Sequence, residues 1–357
     1  MRLAAFELFR YSLPLTEPLI LKSAALRERE GVLLRLIGED GREGWGEASP
    51  LPGFSRESTE EATEQLRDLA ARSLEDRVLP GWEAGTTARL CPSARFAFEL
   101  AALGLLAGAS EKRLSELLSP RPREAVPVNA LLSGDPERVL ADAAHLRAEG
   151  YGAFKLKVGA REVGEDAALV RELGGMLGGA ALRLDANRAW DLEEGREFAR
   201  AVSGTRIEYV EEPLSDPGLL PGLARETGLP VALDESLAGL EPEDLRAHRY
   251  ARAVVLKPTL IGGISRALRF ARAALEAGLT PVVSSAYETG IGTSALVALA
   301  AAVGEEPVPA GLDTYRRLAG DVIHPRLDLA PTVDVRAACA PREIAWHRLE
   351  PVGGAAA

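Results

Sequence analysis

The sequence is poor in the residues that histidine and thiol chemistry require. Two cysteines, Cys91 and Cys339, occur far apart in 357 residues. That excludes a disulfide framework and leaves two free thiols, the pattern of a cytoplasmic protein. The four histidines, His145, His248, His324 and His347, fall in helix-like stretches, loops or the tail. None closes a strand-like run, so histidine-based proton transfer and a zinc site are both disfavoured. Basic residues are also in deficit: 42 Lys and Arg against 53 Asp and Glu give a net charge of −11. A nucleic-acid partner would want a basic stripe, so none is expected. The acidity does not exclude a small carboxylate substrate, because lysines or a metal can dominate a local field. No uncharged apolar run reaches membrane-spanning length, and ALVALAAAV near Ala295 reads as a buried helix. MRLAAFELFRYSLPL lacks the apolar core and small-residue cleavage site of a signal peptide. No membrane partner is expected. The sequence does not specify an oligomeric state.

What the chain does contain is a rhythm. Lys157 closes AFKLKV, Asp185 closes LRLD, Glu211 closes EYVE, Asp234 closes VALD and Lys257 closes VVLK, at steps of 28, 26, 23 and 23 residues. Each step holds one strand, one helix and two short loops, which predicts repeated βα units. VPVNALL precedes the series; TPVVSSA and VPAGLDT follow it, with 28 residues from Ser285 to Asp313. Eight strands close a barrel, so the expected fold class is α/β, a (β/α)8-type barrel. The first third has a different texture. Residues 2–10 and 31–37 and the GWGEAS segment predict an antiparallel meander, and STEEATEQLRDLAARSL and ARFAFELAALGLLAG predict helices. The expected organisation is an α+β capping domain over 1–122, the barrel over 123–318, and a C-terminal segment, 319–357, that returns to the cap. The final GGAAA is expected to be disordered.

In a parallel barrel the functional groups gather at the carboxyl ends of the strands. Asp185, Glu211 and Asp234 end three consecutive strands, and three carboxylates suit a hard octahedral cation with positions open to substrate oxygens. Mg2+ is the expected metal, with Mn2+ as its substitute. Lys155 and Lys157 alternate on one strand and so point the same way, into the barrel mouth. Two ammonium groups about 6–7 Å apart repel by roughly 2–3 kcal/mol, which lowers one pKa and makes a lysine base possible. Lys257 is expected across the mouth from Lys157. Arg183 and Asn187 flank Asp185 at i−2 and i+2, aimed inward either to orient substrate or metal or as ordinary polar pairs of the barrel core. Ser284 and Ser285, with the glycines and helix start of ETGIGTS, offer a carboxylate cradle. Glu212 and Glu235, each one residue past a proposed ligand, should face the other side as loop or supporting groups.

These residues resemble the enolase superfamily and, through the Lys-x-Lys pair with its opposing lysine, the muconate-lactonizing-enzyme subgroup. GREGWGEASPLPGFS (41–55), FKLKVG, LRLDANRAW (182–190), VEEP (210–213), LDES (233–236), VVLKPTL (254–260) and GLDT (311–314) are similar to the o-succinylbenzoate synthase family of menaquinone biosynthesis. The resemblance implies an enolase-like barrel and a Mg2+-dependent lyase acting on a cyclohexadiene carboxylate. It implies that Lys157 takes the proton α to the carboxylate and returns it to the departing hydroxide. Lys155 and the metal would stabilise the resulting anion, and Lys257 would lie against the ring. It also implies that SPLPGFS closes over the site, with Leu51 and Phe54 as its apolar members. The alternatives are an N-succinylamino acid racemase, a dipeptide epimerase or a cycloisomerase of the same subgroup, or a non-catalytic metal-binding barrel. SPLPGFS and GLDT favour the synthase.

Overall fold

The computed structural model describes residues 2–21, 25–76, 87–329 and 331–356. The chain begins as an antiparallel meander: β1 (Leu3–Ile20), β2 (Ala25–Gly38) and β3 (Glu43–Ala48), with Phe6 opposite Leu36 and Leu34 opposite Gly46. Helix α1 (Thr59–Glu75) starts at a reciprocal cap. Ser58 Oγ accepts from Glu61 N at 3.1 Å, and Ser58 N donates to Glu61 Oε2 at 2.7 Å. Those bonds satisfy two donors that a helix start otherwise leaves open. Helix α2 (Pro92–Ser110) is apolar nearly all round and buries Phe96 and Phe98 completely. It lies so close to the sheet that a Cβ on Gly44 would stand 1.9 Å from Ala101 O, and one on Gly46 1.8 Å from Ala97 O. The two glycines flanking Trp45 are therefore the condition for helix and sheet to touch.

A short helix, α3 (Leu114–Leu118), leads into β4 (Ala125–Pro127) and the barrel. Its parallel strands are β5 (Ala130–Leu132), β6 (Ala153–Lys157), β7 (Ala181–Asp185), β8 (Tyr209–Glu211), β9 (Val231–Leu233), β10 (Ala253–Leu256) and β11 (Thr280–Val283), paired in chain order. The helices between them are α4 (Pro136–Ala148), α5 (Val163–Leu177), α6 (Leu192–Ala201), α7 (Leu220–Thr227), α8 (Pro258–Ile261) and α9 (Gly263–Ala277), followed by α10 (Gly290–Ala302). Two 3-10 turns, Glu235–Gly239 and Pro242–Ala247, replace a helix between β9 and β10.

The eighth strand is contracted to Ala310 and Gly311, which bridge Val128 and Ser284. Four backbone bonds still close the ring: Asn129 N to Ala310 O, Ala310 N to Pro127 O, Gly311 N to Val283 O and Ser285 N to Gly311 O, at 2.8–3.0 Å. Pro307 and Pro309 precede this stave and carry no N–H to donate, which limits its pairing. The barrel expected from the sequence thus forms, with seven regular staves and one minimal one.

Beyond Leu318 the chain first crosses the barrel. β12 (Ile323–His324) pairs with β14 (Glu343–Ile344), and β13 (Thr332–Asp334), followed by α11 (Val335–Ala338), pairs with β4. Only then does β15 (Glu350–Ala356) join the outer edge of β1, giving the sheet order β15-β1-β2-β3. The GGAAA segment is therefore ordered through Ala356, contrary to the expectation of a loose tail. Leu8 pairs with Gly353 and Phe6 with Ala355. The free N–H and C=O groups on the edge of β1 explain the difference, since a small-residue strand can satisfy them without needing side-chain contacts.

Cap and barrel are joined by two buried glutamates. Glu99 of α2 accepts Ser265 N at 2.8 Å and Ser265 Oγ at 2.6 Å at the start of α9. Glu47 of β3 accepts Thr289 N at 2.9 and 3.1 Å, Thr289 Oγ1 at 2.7 Å and Gly292 N at 2.9 Å at the start of α10. Each carboxylate supplies acceptors where a helix presents free N–H groups and the positive end of its dipole. Among the described residues no helix is long and apolar enough to cross a membrane.

Candidate active site

Alternation along the parallel staves sorts the inward side chains into layers. Lys155 aligns with Arg183, and Arg183 with Tyr209; one layer nearer the carboxyl ends, Lys157 aligns with Asp185, and Asp185 with Glu211. Asp234 follows the last residue of β9, and Lys257 follows the last residue of β10. β10 is the fourth stave after β6 in a ring of eight, so Lys257 stands opposite Lys157. The predicted amines and acids thus converge at one end of one barrel.

Their ionic contacts are specific. Lys155 Nζ lies 2.6 Å from Glu211 Oε2 and 2.9 Å from Asp185 Oδ2. Lys257 Nζ is paired with Asp234 Oδ2. Lys157 instead donates to Asn187 Oδ1 at 3.3 Å, while Asn187 N donates to Asp185 Oδ1 at 3.1 Å. Asn187 adopts a left-handed backbone with φ 44°, as does Arg188 at 58°. A turn of this strain at the strand end holds the amide over the lysine. Glu212 faces away, as expected. It accepts Asp234 N at 3.0 Å, Ser236 N at 2.8 Å and Arg188 Nε at 3.0 Å, and so fixes the backbone on which Asp234 is mounted.

Burial and charge divide the three lysines. Burial opposes the charge on Lys155, but Asp185, Glu211 and Asp234 outweigh it and hold its pKa well above the ordinary value. Lys257 is raised in the same way: burial works against it, and Asp234 leads the attractions that prevail. Lys157 is the exception. Burial comes first, Asp185 only partly offsets it, and Lys155 and Lys257 add repulsion, so its pKa is lowered. The neighbouring ammonium, expected to be the source of this shift, is the smaller cause, and desolvation the larger. Glu211 is pushed up to about 7 by burial, against the pull of Lys155 and with Asp185 and Asp234 adding repulsion.

Asp185, Glu211 and Asp234 are at most 5% exposed. Among the described residues no three acids, histidines or cysteines are drawn close enough to share an ion as they stand; Lys155 and Lys257 occupy the carboxylate oxygens instead. The donor set nevertheless fits a hard divalent cation. It offers oxygen ligands only, from three adjacent staves.

The cavity above these groups is walled by both domains. Lys155, Lys157, Asp185, Asn187, Lys257, Ser284 and Ser285 come from the barrel, and Leu51 and Phe54 reach in from the cap. The loop carrying Leu51 and Phe54 is held by Arg29, a buried guanidinium that donates to Pro50 O at 2.7 Å, to Ser49 O, and to Ala286 O of the barrel at 3.3 Å.

Two expectations need correction. Arg183 points inward from the same layer as Lys155 but does not line the cavity. It is fully buried, paired with Glu208 at 2.6 Å, bonded to Asn129 Oδ1 at 3.1 Å and Pro309 O at 2.6 Å, and stacked on Tyr209. Those partners take up the guanidinium, so Arg183 serves the barrel core. The carboxylate cradle is also largely filled from within. At the start of α10 Thr289 N and Gly292 N go to Glu47 and Gly290 N goes to Asp321 Oδ1, Ala286 N goes to Glu288 Oε2 at 2.6 Å, and the hydroxyls of Ser284 and Ser285 donate to Gly311 O at 3.2 and 2.9 Å. Both serines still line the cavity.

Residues that sequence reading passed over include Leu19 and Leu21 from the end of β1, Asn129, Tyr287, Asp313 and Thr314. Asn129 lies one residue before β5 and Asp313 two residues past the minimal stave, where continuing the alternation could have revealed them. Leu19 and Leu21 come from the end of β1 in the other domain, and Tyr287 from the loop between β11 and α10, where no period exists.

Residues 138–332 match the family described as enolase C-terminal domain-like, and residues 1–105 match the MenC N-terminal domain. The chain is 35% identical to the o-succinylbenzoate synthase of Klebsiella pneumoniae over 326 residues, covering 89% of this chain and 93% of that protein. Among solved structures it is similar to the Pseudomonas fluorescens muconate lactonizing enzyme complexed with muconolactone, with a TM-score of 0.80, 25% identity and coverage of 97% of this chain and 98% of that one. It is also similar in fold to an Enterococcus faecalis dipeptide epimerase complexed with Mg and L-Leu-L-Tyr. There the TM-score is 0.83 at 21% identity, covering 98% of this chain and 99% of that one.

Proposed function

This chain belongs to the enolase superfamily, and we infer that it is a hydro-lyase converting 2-succinyl-6-hydroxy-2,4-cyclohexadiene-1-carboxylate to 2-succinylbenzoate, the o-succinylbenzoate synthase step of menaquinone biosynthesis. The observation that carries this reading is the likeness to a synthase across nine-tenths of the chain, cap included. The cap is the part that closes over the substrate.

In this reading Lys157 is the base. It faces the cavity, its pKa is lowered by burial, and Asn187 holds its nitrogen. It removes the proton α to the ring carboxylate, then gives that proton to the departing hydroxyl on the same face, so that water leaves and the ring becomes aromatic. Lys257 stays protonated on the opposite stave and stabilises the anionic ring by charge and by its place against the π face. Lys155, also protonated, adds positive charge beside Asp185 and Glu211. Asp185, Glu211 and Asp234 would hold Mg2+, or Mn2+ in its place, and the ion would supply electrophilic stabilisation of negative charge on the substrate carboxylate. Leu51 and Phe54 exclude water from the reacting face. Ser284 and Ser285 border the substrate, and a cytoplasmic location is part of the same proposal.

Two lysines on opposing staves also suit a racemase that moves a proton between the two faces of one carbon. The deciding experiment incubates the purified protein and Mg2+ with the cyclohexadiene and, separately, with a panel of N-succinyl amino acids. Formation of 2-succinylbenzoate is the expected result. Racemisation without dehydration would transfer the assignment to the second reading.

A further inference from the structure

A second cavity of about 240 Å3 adjoins the catalytic one, with Leu19, Leu131, Lys157 and Tyr287 lining both. Its far wall carries Glu17, Ser133 and Arg317. Among the described residues lining either cavity, the cations are Lys155, Lys157, Lys257 and Arg317. The three lysines surround the reacting centre. Arg317 is the cation left over, beyond Lys157 and away from the carboxylate cluster.

The substrate inferred above carries two carboxylates. The ring carboxylate belongs at the cluster of Asp185, Glu211 and Asp234, beside the base. The other ends a flexible chain on the neighbouring ring carbon and must also find a partner, because an anion buried without one is strongly unfavourable. We propose that the second cavity receives this chain and that Arg317 binds its terminal carboxylate, making Arg317 a determinant of specificity for the chain end. This rests on the dehydration reading of the site.

Arg317 is poised for the role. Its side chain is 23% exposed and already oriented, with Nη1 2.7 Å from Glu17 Oε2 and Nη2 2.6 Å from Ser133 Oγ. Those bonds use two of the five N–H groups of a guanidinium and leave the others for a ligand. Glu17 does not depend on Arg317 for neutralisation, since its Oε1 is held by Arg138 at 2.7 Å. The walls between lysine and arginine, Leu19, Leu131 and Tyr287, suit the methylene part of the chain. Tyr287 holds a left-handed backbone with φ 64°, and a strained residue at the boundary of two cavities is a feature the fold retains at a cost.

The test compares binding of 2-succinylbenzoate with that of 2-butanoylbenzoate, in which a methyl group replaces the terminal carboxylate, by calorimetry on the Mg2+-loaded protein. The wild type should prefer the dicarboxylate by about tenfold or more, the size of one charge-assisted hydrogen-bonded contact. R317M should lose the preference, and R317K should keep only part of it. R138M removes the other partner of Glu17 without touching either cavity, and should keep the preference intact. A wild type with no preference, an R317M or R317K protein with the full preference, or an R138M protein that loses it would each overturn the proposal. Failure of the dehydration reading is separately visible as a wild type that does not convert the cyclohexadiene.

Discussion

Lys155 Nζ stands 2.6 Å from Oε2 of Glu211, two staves away, and reaches it past Asp185, whose Oδ2 it also touches at 2.9 Å. One ammonium therefore balances two of the three buried carboxylates. Removing one partner of a buried ion pair leaves the others uncompensated, at a cost of about 3–5 kcal/mol. Lys155→Met should be destabilised by that order in chelator. The deficit should shrink when Mg2+ is added, because an ion at the carboxylates supplies the missing charge. Thermal unfolding with and without Mg2+ measures both effects, and an equal loss in the two conditions would count against a metal at this cluster.

Lys157 should behave in the opposite sense. Its charged form is disfavoured by burial, so between its lowered folded pKa and the unfolded value of 10.5 the unfolded chain binds more protons. Stability from this group is then lost as pH falls through the folded pKa. Lys157→Met should unfold at a higher temperature than the wild type at pH 7, and the gain should narrow toward pH 10. The same variant should lose about 10²–10⁴-fold in turnover, with wild-type kcat/KM rising with pH through a pKa below that of a free lysine. Melting curves across pH, with matched kinetics, would expose a base misassigned to this residue.

Metal removal gives a further check. Dialysis against EDTA should abolish dehydration, and Mg2+ or Mn2+ should restore it. Zn2+ should serve poorly, because the proposed ligand set contains neither nitrogen nor sulfur. Turnover that survives exhaustive chelation would remove Asp185, Glu211 and Asp234 from the role given to them.

Glu47 links the two domains at the edge of the cavity. Glu47→Gln keeps its size but removes an ionic acceptor that receives Thr289 N, Thr289 Oγ1 and Gly292 N. A loss of about 2–3 kcal/mol is expected from hydrogen bonds to a charged group. KM should rise as well, because Tyr287, two residues before Thr289, lines the site. Urea unfolding and steady-state kinetics together read the two effects.

The barrel and its ring of charges were legible because both depend on period. A parallel strand buried on both faces writes an apolar run, and a Lys, Asp or Glu closing that run marks its carboxyl end. The eighth stave was harder to delimit, since Pro307 and Pro309 reduce its pairing to two bridges. Arg183 shows the limit of alternation: the sequence tells which way a side chain points but not which partners take up its head group. Arg29, Glu47 and Glu99 were not read at all. Their roles depend on the docking of one domain against another, and nothing local in the sequence distinguishes them from exposed charged residues.

The pairing of β15 with β1 ties the order of assembly to the order of translation. β1 receives its outer neighbour from residues 350–356, which leave the ribosome roughly 20–70 s after it at about 5–20 residues per second. Until then the nascent cap exposes an open edge, the kind of surface that invites pairing with other chains. Truncating the last seven residues would make that interval permanent, and aggregation during expression, more than lost chemistry, is the phenotype to look for.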